Sequence, residues 1–236
     1  MNQPRHCVIT GAAQGIGRAL TQRFTKAGFR VTGVDVLESD RCVRCDLSSE
    51  SEVLALAEKL KTGPAIDVLI HNAGSSHVSP FASSDIERQK TVLRVNLFAP
   101  FLLTQELLPS LPPASQLVFI SSLSHFVGYP GASVYAASKD GLAEYAQSLR
   151  ESGREVLTVF PGPTRTEHAR RYSPDNRKEH RRMAPEALAE KIFVAIEKRK
   201  PILIPGTGNR VMAFLGRWFP WLTEWILCRA ILNKLT

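Results

Sequence analysis

The sequence predicts an α/β fold: a doubly wound parallel sheet in three α/β/α layers, one domain over residues 1–205, followed by an amphipathic C-terminal extension over 206–236. Three observations predict it. Short apolar runs alternate with longer helical stretches along most of the chain, and such alternation gives a parallel sheet covered on both faces. The first apolar run ends in a cluster of glycines that opens a helix. Gly11, Asn72, Ser122 and Pro161 each follow the end of an apolar run, so the fold gathers them along one sheet edge, where ligands of such folds bind.

Residues 7–10 form the first strand, which runs into the turn Gly11, Ala12, Ala13, Gln14, Gly15, Ile16, Gly17 and a helix over 18–27. Residues 29–34 form the second strand, closed by Asp35, and 42–45 the third. Ser49 is a candidate N-cap for a helix to residue 61. A strand over 67–71 leads into Asn72, Ala73 and Gly74, and 85–108 is helical in two pieces. Next come a strand over 116–121, a helix over 134–150 and a strand over 156–160 that runs into Pro161, Gly162 and Pro163. A helix over 185–198 and a strand over 201–204 complete the body.

Two of these elements carry chemistry. Tyr135 and Lys139 lie four residues apart on the 134–150 helix, hence on one face. A free phenol ionises near about pH 10. A cation held beside it favours the phenolate, which makes the pair a candidate general acid/base tuned towards neutral pH. The same spacing also occurs on plain solvated helix faces. The other element is the first turn. Its glycines let the backbone turn tightly and approach a pyrophosphate seated on a helix N-terminus. Asp35, 18 residues after Gly17, is placed to accept hydrogen bonds from an adenosine ribose.

Composition narrows the function classes. A chain of 236 residues, 44% hydrophobic, can bury a large core. The net charge of +8 does not indicate a nucleic-acid partner, because the basic residues are not set in a recognition module. Residues 1–6 are polar and unlike a signal peptide, and no uncharged apolar run is long enough to span a bilayer. A reducing cytoplasm is the expected compartment. Cys42 and Cys45 form a C-x-x-C without the further ligands a zinc site needs, and the six histidines show no metal-ligand spacing; no metal is expected.

In order along the chain, Thr10 to Gly17, Asp46-Leu47, Asn72-Ala73-Gly74, Asn96, Ser121-Ser122, Tyr135 to Lys139, and Pro161-Gly162 with Thr166 resemble the motifs of the short-chain dehydrogenase/reductase family, over residues 5–205. The resemblance implies a Rossmann-type fold and hydride transfer between a nicotinamide cofactor and a carbonyl or alcohol. It implies that Tyr135 exchanges the proton with the substrate oxygen, that Lys139 lowers the Tyr135 pKa and bonds the nicotinamide ribose, and that Ser122 polarises the substrate oxygen. Ser121 should point elsewhere by strand alternation. Asn96 would hold a relay water between Lys139 and solvent. Gly11, Gln14, Gly15, Ile16 and Gly17 would bind cofactor, with Asp46 at the adenine amino group, Asn72 and Gly74 along the adenosine, and Thr166 at the carboxamide. Leu47, Ala73, Pro161, Gly162 and Thr164 complete the implied cofactor-binding set, although Pro163-Thr164-Arg165 departs from the usual pattern.

Asp35 repels a 2′-phosphate, and the family's usual phosphate-binding places hold Gln14 and Val36. NAD is therefore expected rather than NADP. The expected activity is interconversion of a secondary alcohol and a ketone on a small, lipophilic molecule by a homodimer or homotetramer. The alternatives are an NADP(H)-dependent carbonyl or 3-oxoacyl thioester reductase, and a non-catalytic dinucleotide sensor, which would be expected to lose Tyr135 or Lys139.

Two segments stand apart. Residues 165–182 hold seven Arg/Lys against three Asp/Glu, read either as a solvated loop or as an attractor of anionic substrate groups or lipid. Within the substrate-loop segment 165–184 the sequence carries no readable specificity. The tail over 206–236 holds all three tryptophans, Trp218, Trp221 and Trp225, among aromatic, aliphatic and basic residues, with Pro220 dividing it into two helices. Such a tail either lies in a membrane interface, giving peripheral contact, or packs on the body or a partner subunit.

Overall fold

A computed structural model describes residues 3–37, 42–80, 83–128, 130–172, 176–177 and 179–231. The strands are β1 (His6–Thr10), β2 (Arg30–Asp35), β3 (Cys42–Arg44), β4 (Val68–His71), β5 (Gln116–Ile120), β6 (Glu155–Val159) and β7 (Ile202–Leu203). Among the described residues they form one sheet in the order β3-β2-β1-β4-β5-β6-β7, and each pairing is parallel. The winding reverses between β1 and β4, where Cys7 is flanked by Val31 and Val68. That reversal opens a crevice beyond the strand C-termini. Strands β1, β4 and β5 are buried along their whole length, the reason their sequences read as continuous rather than alternating apolar runs.

Helices α1 (Gly15–Lys26) and α7 (Pro185–Glu197) cover one face. Their core holds Leu20, Phe24 and Ile192, with Phe24 edge-on to Phe29 and Phe193 at 5.0 and 5.1 Å. Burial of a side chain of that size contributes about 1.5–3 kcal/mol. Helices α2 (Glu50–Lys61), α4 (Ala99–Leu107) and α5 (Ser133–Glu151) cover the other face, over Leu56, Leu103, Phe119 and Leu142. The imidazole of His71 stacks on Phe119 and hydrogen-bonds Thr104 Oγ1 at 2.9 Å. Burial pushes its pKa down to about 3, so it stays neutral in the core.

Several element ends follow the sequence rules closely. Ser49 caps α2 by accepting from the Glu52 N–H, and Asp85 caps α3 (Ile86–Leu93) in the same way. Helix α1 starts at Gly15, three residues before the expected start, because the second half of the glycine turn is already its first turn. The stretch 85–108 differs from two simple helices: α3 and α4 are joined by a π-helical turn, Arg94–Phe98. Beyond β6 lies the short helix α6 (Glu167–Tyr172), and Thr164 bridges to Met183. The tail forms α8 (Thr207–Trp218) and α9 (Pro220–Ile231), broken at Pro220 as its ring predicts. Among the described residues no helix is long and apolar enough to cross a membrane.

Candidate active site

The glycine turn that follows β1 is built by close backbone approach. Gly11 and Gly15 have φ of 66° and 54°, in the left-handed region that favours glycine. A Cβ on Gly17 would lie 1.9 Å from the Gly11 carbonyl oxygen, and one on Gly11 would lie 2.8 Å from Ala73 Cα. Asn72 braces this turn from β4: its Nδ2 donates to the carbonyls of Thr10 and Gly11 at 2.9 and 3.1 Å. The Asn72 and Ala73 N–H groups both donate to Thr10 Oγ1. The amide donors of Asn72 are thus spent on the turn, and Thr10 is a supporting residue whose role the sequence reading left undefined.

Asp35 sits at the end of β2, buried, with Oδ2 accepting from Ala13 N at 2.9 Å and Oδ1 from Leu37 N at 3.0 Å. Asp46 turns one carboxylate oxygen to the N–H and hydroxyl of Ser48, both at 2.8 Å, while Leu47 packs against the core under α2 and α4. Unlike α2 and α3, helix α1 has no side-chain cap: Gln14 at its N-cap makes no capping bond, and no acid stands in its first turn. Its leading N–H groups and positive end are therefore left for an anion. These residues fit a dinucleotide pyrophosphate.

The second half of the site hangs on α5. Lys139 is 4% exposed. Its Nζ donates to the Ile120 carbonyl at 2.8 Å, and burial lowers its pKa to about 8. Ser121 turns away, its Oγ donating to the Lys139 carbonyl at 2.7 Å, as strand alternation predicts. Ser122 takes the other direction. Its Oγ accepts from Ser124 N at 3.1 Å, and its hydroxyl acts to lower the Tyr135 pKa.

One expectation is corrected here. Burial raises the Tyr135 pKa, and the lowering influence of the Ser122 hydroxyl only partly offsets that rise. The net shift in this state is therefore upward, away from the expected tuning towards neutral pH, with the Lys139 ammonium donating to the Ile120 carbonyl.

Asn96 is fully buried in the π turn. Its Oδ1 accepts from Ser75 N at 2.7 Å, and its Nδ2 donates to Ser75 O and Ser138 Oγ, both at 2.9 Å. Ser138 Oγ in turn donates to the Tyr135 carbonyl at 2.7 Å. Asn96, within the π turn, thereby ties the segment after β4 to the second turn of α5. Gly74 lies between the two: a Cβ there would sit 3.4 Å from Lys139 Nζ and 3.6 Å from Asn96 Oδ1.

The turn after β6 closes the crevice. The Pro161 carbonyl accepts from Leu123 N at 2.9 Å, tying it to the strand end that carries Ser122. Gly162 admits Asn209 of α8, which a Cβ would strike at 2.4 Å. Thr164 is buried, its hydroxyl donating to Gly162 O at 3.1 Å. Thr166 caps α6 through Ala169 N and faces Gly15 across the crevice, where a Cβ would lie 3.3 Å from its Cγ2.

His168 was not singled out in the sequence. Its ring centroid lies 6.5 Å from that of Tyr135. Desolvation, then the charges of Lys139 and Arg171, act to lower its pKa, an effect that solvent weakens because the residue is exposed. A single histidine in a basic loop has no spacing that marks it, so no sequence signal could have found it.

A crevice of this kind, with a phenol, an ammonium and a hydroxyl on the strand and helix beside it, belongs to dehydrogenases and reductases that use NAD(P), and this protein is one. A family model for the short chain dehydrogenases matches residues 5–177, and the chain belongs to that family. It is 29% identical to a dehydrogenase/reductase SDR family member 7B of Danio rerio, over 92% of this chain and 82% of that protein. It is 31% identical to a 2-(R)-hydroxypropyl-CoM dehydrogenase of Xanthobacter autotrophicus, over 69% of this chain and 75% of that one. The fold matches a short-chain dehydrogenase of Streptomyces avermitilis with a TM-score of 0.81 at 22% identity, covering 98% of both chains.

Proposed function

We propose that the protein is an NAD(H)-dependent oxidoreductase that interconverts a secondary alcohol and a ketone on a lipophilic substrate, with Tyr135 as general acid/base. The observation that supports the reading is Lys139, a buried ammonium one turn after Tyr135 on α5, donating to the Ile120 carbonyl, with the Ser122 hydroxyl acting to lower the Tyr135 pKa. When bound, the nicotinamide supplies or receives the hydride. Ser122 holds the substrate oxygen. Tyr135 gives that oxygen a proton in reduction and takes one in oxidation. With a pKa of about 8, Lys139 is mostly cationic at neutral pH. A phenolate forming beside it relieves the cost of its buried charge. The side-chain donors of Asn96 are committed, so its main-chain carbonyl, in a π turn where backbone bonds are displaced, is the group that holds a relay water.

The Xanthobacter relative is named for a 2-hydroxypropyl group, which is a secondary alcohol. The lipophilic substrate is suggested by the apolar, aromatic tail, whose helix α8 packs on Phe126 and Val127 in the segment after Ser122. The four cysteines are free thiols, which suits a reducing cytoplasm.

The cofactor preference rests on Asp35. Its carboxylate has about four lone-pair sites and uses one on each oxygen for Ala13 and Leu37, leaving acceptors for ribose hydroxyls and a negative charge against a 2′-phosphate. Asp35→Ala should weaken NAD binding by about 10–100-fold, the value of hydrogen bonds to a charged group, and NADP binding by less. The ratio is the readout, since Ala13 N loses its acceptor with either cofactor. A variant that loses NADP more than NAD contradicts the preference.

A further inference from the structure

The geometry points to a second surface with its own partner: α8 and α9 seat the enzyme on an anionic phospholipid bilayer. The two helices grip the body through small residues. Ala213 and Gly216 are buried, and a Cβ on Gly216 would lie 2.1 Å from the Phe126 carbonyl oxygen. Thr223 of α9 is 2% exposed. The opposite face is apolar as well, which a helix with solvent on that side does not need. Val211, Phe214 and Trp218 recur at spacings of three and four, so they share one outward face of α8. Trp221 and Trp225 do the same on α9, with Phe219 at the bend. Each of the three tryptophans is more than half exposed, at 68%, 67% and 53%. Exposed apolar residues scattered singly are ordinary, but a contiguous patch marks an interaction surface. Tryptophan is the residue enriched at the membrane–water boundary.

Charge selects the occupant. Arg217 and Arg229, both exposed, and Arg210, whose Nε donates to the Ile204 carbonyl, stand on these two helices against Glu224 as the acid among their described residues, on a chain of net charge +8. The Arg229 guanidinium lies 4.3 Å over the Trp225 ring, which sets a cation and an indole at one depth. A second copy docked here about a twofold axis would bring like charges together, whereas anionic headgroups neutralise them. Each helix has 12 residues, about 18 Å of helix, too short for a hydrocarbon core of about 30 Å. The pair therefore lies in the plane of the interface. Asn209, at the start of α8, rests on Gly162, and Gly216 rests on Phe126, so the inward side of α8 packs on the segments that follow β5 and β6. The inference rests on the exposed face and its charge, independent of the chemistry assigned to Tyr135.

The test uses the full chain with phosphatidylcholine vesicles, with and without phosphatidylserine. Since all three tryptophans lie in this tail, their fluorescence reports on it alone. The expected result is co-sedimentation with a blue-shifted emission, at least about tenfold stronger on the anionic vesicles and weakened by salt. A Trp218→Ser, Trp221→Ser, Trp225→Ser variant should stay in the supernatant while its circular dichroism and melting temperature match the parent. Three results overturn the proposal: no sedimentation of the parent with anionic vesicles, equal sedimentation of the variant, or a parent dimer that ignores vesicles and becomes monomeric in the variant.

Discussion

Tyr135→Phe is expected to bind NADH with the parent affinity and to lose turnover by about 10²–10⁴-fold, the usual contribution of one positioned acid/base group. The substitution removes one hydroxyl. It leaves Lys139 bonded to Ile120, Asn96 bonded to Ser75 and Ser138, and the glycine turn untouched. Loss of the hydrogen-bonding capacity of one hydroxyl costs about 1 kcal/mol, too little to unfold the chain. Fluorescence titration with NADH alongside initial rates separates the two effects. Parent-like rates in the variant would remove Tyr135 from the chemistry, and a matching loss of NADH affinity would make its role structural.

The second large effect is expected at Gly17. In Gly17→Ala the new Cβ would meet the Gly11 carbonyl oxygen at 1.9 Å and Asn72 Nδ2 at 2.7 Å. The nearer atom is backbone and cannot rotate away, so the turn must open and the α1 N-terminus must shift. Overpacking of this kind costs about 1–3 kcal/mol or more, which lowers the melting temperature by about 2–4 °C per kcal/mol in a chain of this size. A displacement of about 1 Å costs about 10²-fold in rate, so turnover should fall by that order, and dinucleotide affinity should fall with it as the α1 N-terminus moves from the pyrophosphate. Gly208→Ala, where nothing lies within 4 Å, should keep these properties. Calorimetry with NADH on the two variants checks the contrast, and undiminished binding in Gly17→Ala would mean that the turn does not hold the cofactor.

The parts of this molecule that are legible in the sequence are those set by neighbours along the chain. The glycine turn, the Ser49 cap, the break at Pro220 and the one-turn spacing of Tyr135 and Lys139 all depend on a few consecutive residues. What escaped depends on partners far away in sequence. Asn96, within the π turn, reaches Ser75 and Ser138. The direction of the Lys139 ammonium is set by the Ile120 carbonyl, and a spacing rule about Tyr135 carries no information on that carbonyl. The family motif places Asn72 in the site, but only the packing shows that its amide holds the turn together. Gly162 reads as a turn residue until Asn209, 47 positions later, is found against it. His168 acquires its low pKa from desolvation and from Lys139, neither of which a basic loop sequence reveals.

The central claim is NAD(H)-dependent interconversion of secondary alcohols and ketones. It is tested most directly by initial rates of nicotinamide absorbance change with NAD and with NADP, across a homologous series of secondary alcohols and the corresponding ketones. The account predicts turnover that is faster with the unphosphorylated cofactor. It also predicts kcat/KM rising with apolar chain length, by up to about fourfold per methylene if each is fully buried at about 0.8 kcal/mol. No turnover of any member with either cofactor, or a clear preference for NADP, would contradict it.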